Sequence, residues 1–278
     1  MHHSTGAFPV EALFLLPVCA AAAAYVAGAR SDRAAAWPVH RTAAFLAGLA
    51  AALLTVLGPL PALAHNSFTW LAVSHVAAGM LAPLLLVLSR PVTLALRVMD
   101  KMPARRIVRI LRSAPARVLS HPVSAAVLNV GGMVLMFRTP VFEAMQTLAP
   151  VHWLVTFHLL AAGYLWTAAL IGRDPNPHRS ALWLRAAVLV ATAAAHNILA
   201  KSLYADPPQG VPAEAAETGA TAMYYAGGAV EIAVMILLCL QWYRSSAPDR
   251  SPAGTGPGQD AQKARSAVGG TGLRLKSR

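Results

Sequence analysis

Four histidines lie inside long apolar stretches of the sequence, and they are the residues best suited to chemistry. They are His75, His152, His158 and His196. An ionisable side chain within a bilayer is costly, so each one is a functional candidate. Imidazole nitrogens bind copper, zinc and iron, and imidazole together with thioether sulfur suits Cu(I). The histidines therefore predict a metal site. Met133 and Met136 are further candidates, although methionine also fills gaps in a core.

The composition places these histidines in a membrane protein. The chain of 278 residues is 56% hydrophobic and only 12% charged, and its mean hydropathy is +0.52. A soluble domain carries about a quarter charged residues, so the soluble classes are excluded. Cys19 and Cys239 form no CxxC pair, which argues against a disulfide scaffold and against a thiolate zinc site.

Apolar stretches of about 20 residues predict the elements that position the histidines. Seven such stretches cover residues 10–28, 42–63, 70–89, 122–137, 151–171, 182–204 and 221–243. Unalternating runs of this length are helices, so we expect an all-α membrane bundle of about seven transmembrane helices within residues 1–244. Residues 245–278 are rich in Pro, Gly, Ser, Lys and Arg, which predicts a disordered cytoplasmic tail.

The basic residues predict the orientation of this bundle. Of the 23 Lys and Arg residues, all but Arg138 and Lys201 fall on one side of the predicted spans. The positive-inside rule then places the N-terminus outside and the C-terminus inside. The basic amphipathic segment 97–118 is expected to lie on the anionic inner leaflet of the lipid bilayer rather than on nucleic acid.

With this orientation the four histidines share the outer half of the membrane. His152 and His158 do not share a helical face, because six residues turn a helix by roughly 600°. One of the two is therefore expected to support the site from behind. Glu231 lies in the outer half of the last span, where it either pairs with Lys201 or takes a proton or metal role. The start Met1-His2-His3 is either a Cu(II) chelator or a simple polar tail.

Several segments together resemble one known family, the caa3-type cytochrome c oxidase assembly factors, a CtaG-like group of polytopic membrane proteins. The resemblance spans residues 9–204. It is carried by residues 75–97 (HVAAGMLAPLLLVLSRPVTLALR), His121-Pro122, residues 139–142 (TPVF), residues 152–166 (HWLVTFHLLAAGYLW), residues 171–175 (IGRDP) and His196. Leu71 and Thr156 stand where the family pattern has histidines, so the metal-ligand set that the resemblance implies is smaller here.

The resemblance implies a function in assembling a haem–copper oxidase in a bacterial inner (plasma) membrane. It implies that the chain helps copper to reach the oxidase catalytic subunit, which would be its partner. The residues themselves indicate a polytopic helical protein with a polar site towards the outer face. The outward histidine cluster suits the uptake of copper from that side.

Two other classes remain open from the sequence. Histidines at similar depth on neighbouring helices could ligate haem in a b-type electron carrier. A transporter of metal or protons could use Glu231, Lys201 and the histidines. A retinal protein is excluded because the last span contains no lysine. No nucleophile–base triad, phosphate loop or paired carboxylate motif is present, so we predict no enzymatic turnover. The oligomeric state is open.

Overall fold

The computed structural model of the chain describes residues 10–246, with side chains from Leu15 onward. The predictions for Met1-His2-His3 and for residues 247–278 of the tail lie outside this range. The described residues form helices and no strands, which confirms the all-helical class. Contacts group the described residues up to Trp242 into one compact unit.

Thirteen α-helices follow one another in the described part of the chain. They are α1 (Val10–Arg30), α2 (Val39–Leu54), α3 (Pro59–Asn66), α4 (Phe68–Val76), α5 (Ala82–Leu88), α6 (Pro91–Val98), α7 (Lys101–Leu111), α8 (Ala114–Leu119), α9 (Pro122–Arg138), α10 (Val141–Thr147), α11 (Ala149–Ile171), α12 (Leu182–Ala205) and α13 (Ala213–Ser246). A 3₁₀ turn (Asp32–Ala34) follows α1, and a π-helical segment (Ala77–Leu81) joins α4 to α5.

Four helical stretches are long and apolar enough to cross a membrane: Phe68–Val98, α11, α12 and α13. Two further pairs pass the same test only together, because α2 meets α3 at a bend of 47° and α9 meets α10 at a bend of 74°. The described residues thus provide four to six candidate spans, and α1 adds the shorter apolar helix Leu15–Arg30. The count of seven and the orientation of the termini stay predictions.

Both bends have local causes in the sequence. Gly58 adopts φ 89° directly before Pro59, a conformation that favours glycine and lets the chain turn before α3 begins. Thr139 is extended, with φ −132° and ψ 170°, as expected for a residue before proline. The hydroxyl of Thr139 then accepts a hydrogen bond from the Val141 amide at 3.3 Å and starts α10. The predicted spans 42–63 and 122–137 are therefore parts of broken helices.

A close approach between α11 and the π-helical segment holds the centre of the bundle together. At Gly163 of α11 an added Cβ would collide with the carbonyl oxygen of Gly79 and crowd Pro83. Small residues at such positions let helix backbones approach each other closely in membranes. This contact fixes α11 against the helix that carries His75.

The end of the bundle away from the histidines, where Asp174, Arg185 and Gln241 lie, is closed by hydrogen bonds that cap the helices. We call it the arginine end. The carboxylate of Asp174 accepts hydrogen bonds from the backbone amides of Val92 and Thr93, at 3.3 and 2.8 Å, and so caps the start of α6. The Arg185 guanidinium donates to the Leu170 carbonyl at 2.8 Å, and the Gln241 amide donates to the Ile171 carbonyl at 2.7 Å. These bonds satisfy the last carbonyls of α11.

Two apolar clusters fill the bundle along its length. The arginine-end core includes Leu84, Val87, Trp166, Leu170 and Leu189. The other cluster lies among the histidine-bearing ends of the helices, and includes Phe68, Met136, Phe137, Phe142 and Met145. None of the residues of α7 and α8, which carry much of the basic segment, is buried.

We predict that Gly163→Ala destabilises the protein, because its methyl group would have to displace the backbone of the π-helical segment. Overpacking of this kind costs about 1–3 kcal/mol in the free energy of unfolding. Gly131→Ala is the matched control, since a Cβ there meets no atom within 4 Å. The thermal unfolding midpoint of the detergent-purified variants measures the effect. Equal midpoints for the two variants would contradict the importance of this contact.

Candidate functional site

His75 occupies the last turn of α4, directly before the π-helical segment. Its side chain is buried, and neither ring nitrogen has a hydrogen-bond partner within the described part of the chain. A buried imidazole without partners is costly, because its polar atoms have lost water and gained nothing in return. Such an atom in a native structure calls for a function, a water molecule or an ion. π-helical turns are also frequent at functional sites.

A small cavity lies beside His75, and its lining draws residues from several helices together. Its volume is about 20 Å³, enough for one water molecule or one ion. The residues with bearing on function are Leu71, His75, Met136, Met145, His152 and Thr156. His75 and His152 therefore meet at one cavity. Leu71 and Thr156, which the family resemblance singles out, line the same space.

The two methionines reach the cavity because α9 and α10 are bent against each other. Met136 is in the last turns of α9, and Met145 is in α10 beyond the bend of 74°. Both thioether side chains are buried, at 2% and 3% exposure, and both line the cavity. The sequence analysis missed Met145, since the short stretch after Thr139-Pro140 resembles a loop. Met133, the other methionine considered there, is buried but does not line the cavity.

His196 lies behind His75 on the side away from the cavity lining. The two rings are nearly parallel, with centroids 6.4 Å apart and planes at 13°. The His196 Nδ1 atom lies 3.2 Å from the Glu231 Oε1 atom, which is an ion-pair distance if the ring is protonated. The other Glu231 oxygen accepts a hydrogen bond from the Asn197 amide at 3.2 Å. His75, His196 and Glu231 thus form one buried polar row.

In this row Glu231 contacts His196 and Asn197. The predicted alternative, an ion pair between Glu231 and Lys201, is therefore wrong. The Lys201 ammonium instead lies 5.4 Å from the centre of the Tyr224 ring. Glu231 and His196 are both buried, whereas Lys201 is exposed on the outer surface of α12. Sequence spacing placed Lys201 at a similar depth, but depth alone does not fix which way a side chain points.

His158 points away from the cavity, towards α9. Its Nε2 atom lies 3.1 Å from the Leu128 carbonyl oxygen, and a Cβ at Gly132 would collide with its ring. The expectation that His152 and His158 face different directions is confirmed. Gly227 makes room for the His196 ring in the same manner. Gly132 and Gly227 are therefore small because each faces a histidine ring.

A polar groove opens beside the cavity, at the end of the bundle formed by α3, α10 and the start of α13. Its volume is about 570 Å³, and Ala64 borders both the groove and the cavity. The polar side chains along it include His65, Glu143, Gln146 and Gln209. His152 lies within electrostatic range of His65. The groove therefore lies next to the cavity.

The geometry supplies nitrogen and sulfur donors rather than a carboxylate cluster. Among the described residues no three His, Cys, Asp or Glu side chains are grouped closely enough to hold a metal ion. The cavity adds Met136 and Met145 to the imidazoles of His75 and His152. Imidazole and thioether donors together suit copper.

Comparison with known proteins gives one family and several relatives. The family model described as cytochrome c oxidase caa3 assembly factor matches residues 23–245. Uncharacterised proteins of Mycobacterium bovis and Mycobacterium tuberculosis are each 37% identical over 167 residues, which is 56% of this chain and 25% of theirs. One of Mycobacterium leprae is 34% identical over 184 residues, covering 62% of this chain and 28% of its own. The chain thus spans about a quarter of the length of these relatives. No solved structure matches it.

We predict that Glu231→Ala lowers the free energy of unfolding by about 1–3 kcal/mol, because His196 and Asn197 would each lose a buried polar partner. Glu231→Gln, which keeps an oxygen acceptor for Asn197, should lose less. Glu217→Ala is the control on the same helix, since Glu217 is exposed, and it should stay within about 0.5 kcal/mol of the parent protein. Thermal unfolding in detergent gives the comparison. An equal loss in Glu217→Ala would show that the buried row adds nothing to stability.

Proposed function

The chain belongs to the cytochrome c oxidase caa3 assembly factor family, and on this basis we propose that it delivers copper to a haem–copper oxidase during its assembly. Copper would be taken up at the outer face of a bacterial inner membrane and passed on to the oxidase catalytic subunit. The protein would act as a carrier and would not catalyse turnover. The observation that carries this proposal is the cavity where His75 and His152 meet.

The cavity suits a carrier in size and in chemistry. A volume of about 20 Å³ takes one ion and excludes a larger ligand. His75 presents ring nitrogens that have no protein partner within the described residues, so a bound ion would satisfy them rather than displace an existing bond. We take the groove beside the cavity as the route to the surface. The distribution of Lys and Arg predicts that this route opens on the outer side.

The haem carrier is the less favoured alternative. A site for a cofactor of that size has a volume of roughly 300–1,000 Å³, far above the volume of this cavity. A visible spectrum of the purified protein tests this directly, because bound haem gives an intense Soret band.

The apolar packing between the histidines and the arginine end argues against a transmembrane transporter. Leu84, Leu170 and Leu189 belong to the arginine-end core, which fills the bundle between His75 and the capped helix ends. A metal or proton path would need polar side chains through this layer. The polar row of His75, His196 and Glu231 stops above it. A carrier that loads and unloads on one side needs no such path.

We predict that His75→Ala and His196→Ala each lower the amount of active oxidase by about tenfold or more, while the level of this protein in the membrane is unchanged. His75 would be a ligand, and His196 packs directly behind its ring; loss of such supporting groups costs about 10–100-fold in metal affinity or activity. Oxidase turnover and the copper content of purified oxidase are measured in cells that carry only the variant gene.

His40→Ala is the matched control. His40 is exposed in the first turn of α2 and lies outside the segments that carry the family resemblance. This variant should leave the oxidase fully active. Excess copper in the growth medium should restore part of the activity of His75→Ala if the lost step is copper supply. Normal oxidase in both His75→Ala and His196→Ala would overturn the site.

A further inference from the structure

We propose that the cavity binds monovalent copper, Cu(I), and that Met136 and Met145 are ligands together with His75 and His152. This inference rests on the proposed function and deepens it, because it names the oxidation state of the cargo and two residues that a histidine site does not include. The observation behind it is the convergence of two imidazoles and two thioethers on one space the size of an ion.

The methionines are placed as ligands would be rather than as scattered core fillers. Nine positions separate them in the sequence, and only the bend between α9 and α10 brings both to the same cavity. The two imidazoles come from α4 and α11. Four helices thus contribute one donor each. Met133 on α9 is just as buried and stays outside the lining, so burial alone does not explain the arrangement.

The chemistry of this donor set selects the monovalent ion. Thioether sulfur is a soft ligand that favours Cu(I), whereas carboxylates and water favour harder divalent ions. The cavity lining contains no Asp or Glu, and all four donors are neutral when they bind metal. The solvation cost of burying an ion rises with the square of its charge, so a divalent ion in this neutral setting is penalised about fourfold more than Cu(I). Copper enters and leaves as Cu(I), with no electron transferred.

The remaining polar groups around the cavity could not replace the methionines as ligands, because most of them already form hydrogen bonds. The Thr156 hydroxyl donates to the His152 carbonyl at 2.9 Å, and the Thr55 hydroxyl donates to the Ala52 carbonyl at 2.7 Å. Ser74 Oγ has no partner within the described residues, and with His75 it could hold one water molecule. A bound water is therefore the competing account of the cavity. A hydroxyl and an imidazole alone do not discriminate Cu(I) from other ions.

The test is an anaerobic titration of the full-length, detergent-purified protein with Cu(I), in competition with a chromophoric Cu(I) chelator. We expect one Cu(I) per chain, with sulfur and nitrogen neighbours in the copper X-ray absorption spectrum. The double variant Met136→Leu with Met145→Leu should lose the sulfur signal and about 10–100-fold in Cu(I) affinity. Leucine conserves volume and apolar character, so these variants should fold. Zn²⁺, titrated in the same way with a zinc indicator, should bind the parent protein far more weakly than Cu(I).

Met133→Leu is the matched control, and it should keep both the affinity and the sulfur signal of the parent protein. If the double variant keeps both while His75→Ala loses copper, the methionine ligands are refuted and the proposed function survives. If the parent protein binds Zn²⁺ as tightly as Cu(I), the selectivity for the monovalent ion is refuted. If the parent protein binds no copper at all, the proposed delivery of copper falls together with this inference, and the cavity is a water site.

Discussion

The approach of α11 to the π-helical segment is the constraint on which the rest of this bundle depends. Gly163 and Gly79 leave no side chain between the two backbones, so the helix that carries His152 lies directly against the helix that carries His75. The widened π-helical turn begins two residues after His75 and shifts the register of everything that follows it. A side chain between the two backbones would separate both imidazoles. The metal chemistry that we propose therefore depends on a contact that contains no functional group.

Broken helices supply the remaining groups. An unbroken helix advances about 1.5 Å per residue, so nine residues would carry Met145 far beyond Met136. The bend at Thr139-Pro140 turns the chain back instead, and the bend at Gly58 does the same for the wall formed by α3. In a bilayer such irregular backbone is tolerated where protein or a polar cavity surrounds it. Here both breaks border the cavity or the groove beside it.

Those properties that depend on composition and on the helical repeat could be predicted from the sequence. The helical class follows from apolar runs too long and too even for strands, and the divergence of His152 from His158 follows from the helical repeat. The pair with Lys201, one of the two alternatives for Glu231, was wrong. The two residues lie at similar depth on α13 and α12, but only packing decides whether side chains on two helices face each other. Met145 was missed because α10 has only seven residues, too few to show a helical repeat in the sequence. The cavity itself depends on five α-helices and the π-helical segment at once.

The caps at the arginine end close that end of the bundle. Asp174, Arg185 and Gln241 tie the ends of α6 and α11 together, and a layer of leucine and tryptophan separates these bonds from His75. In the function that we propose, the cargo would arrive and depart through the groove beside the cavity, away from these caps. The molecule that supplies the cargo and the one that receives it would then bind at the same groove, one after the other. The direction of transfer would then depend on the order in which the two molecules bind. It would not depend on movement of the cargo through the bundle.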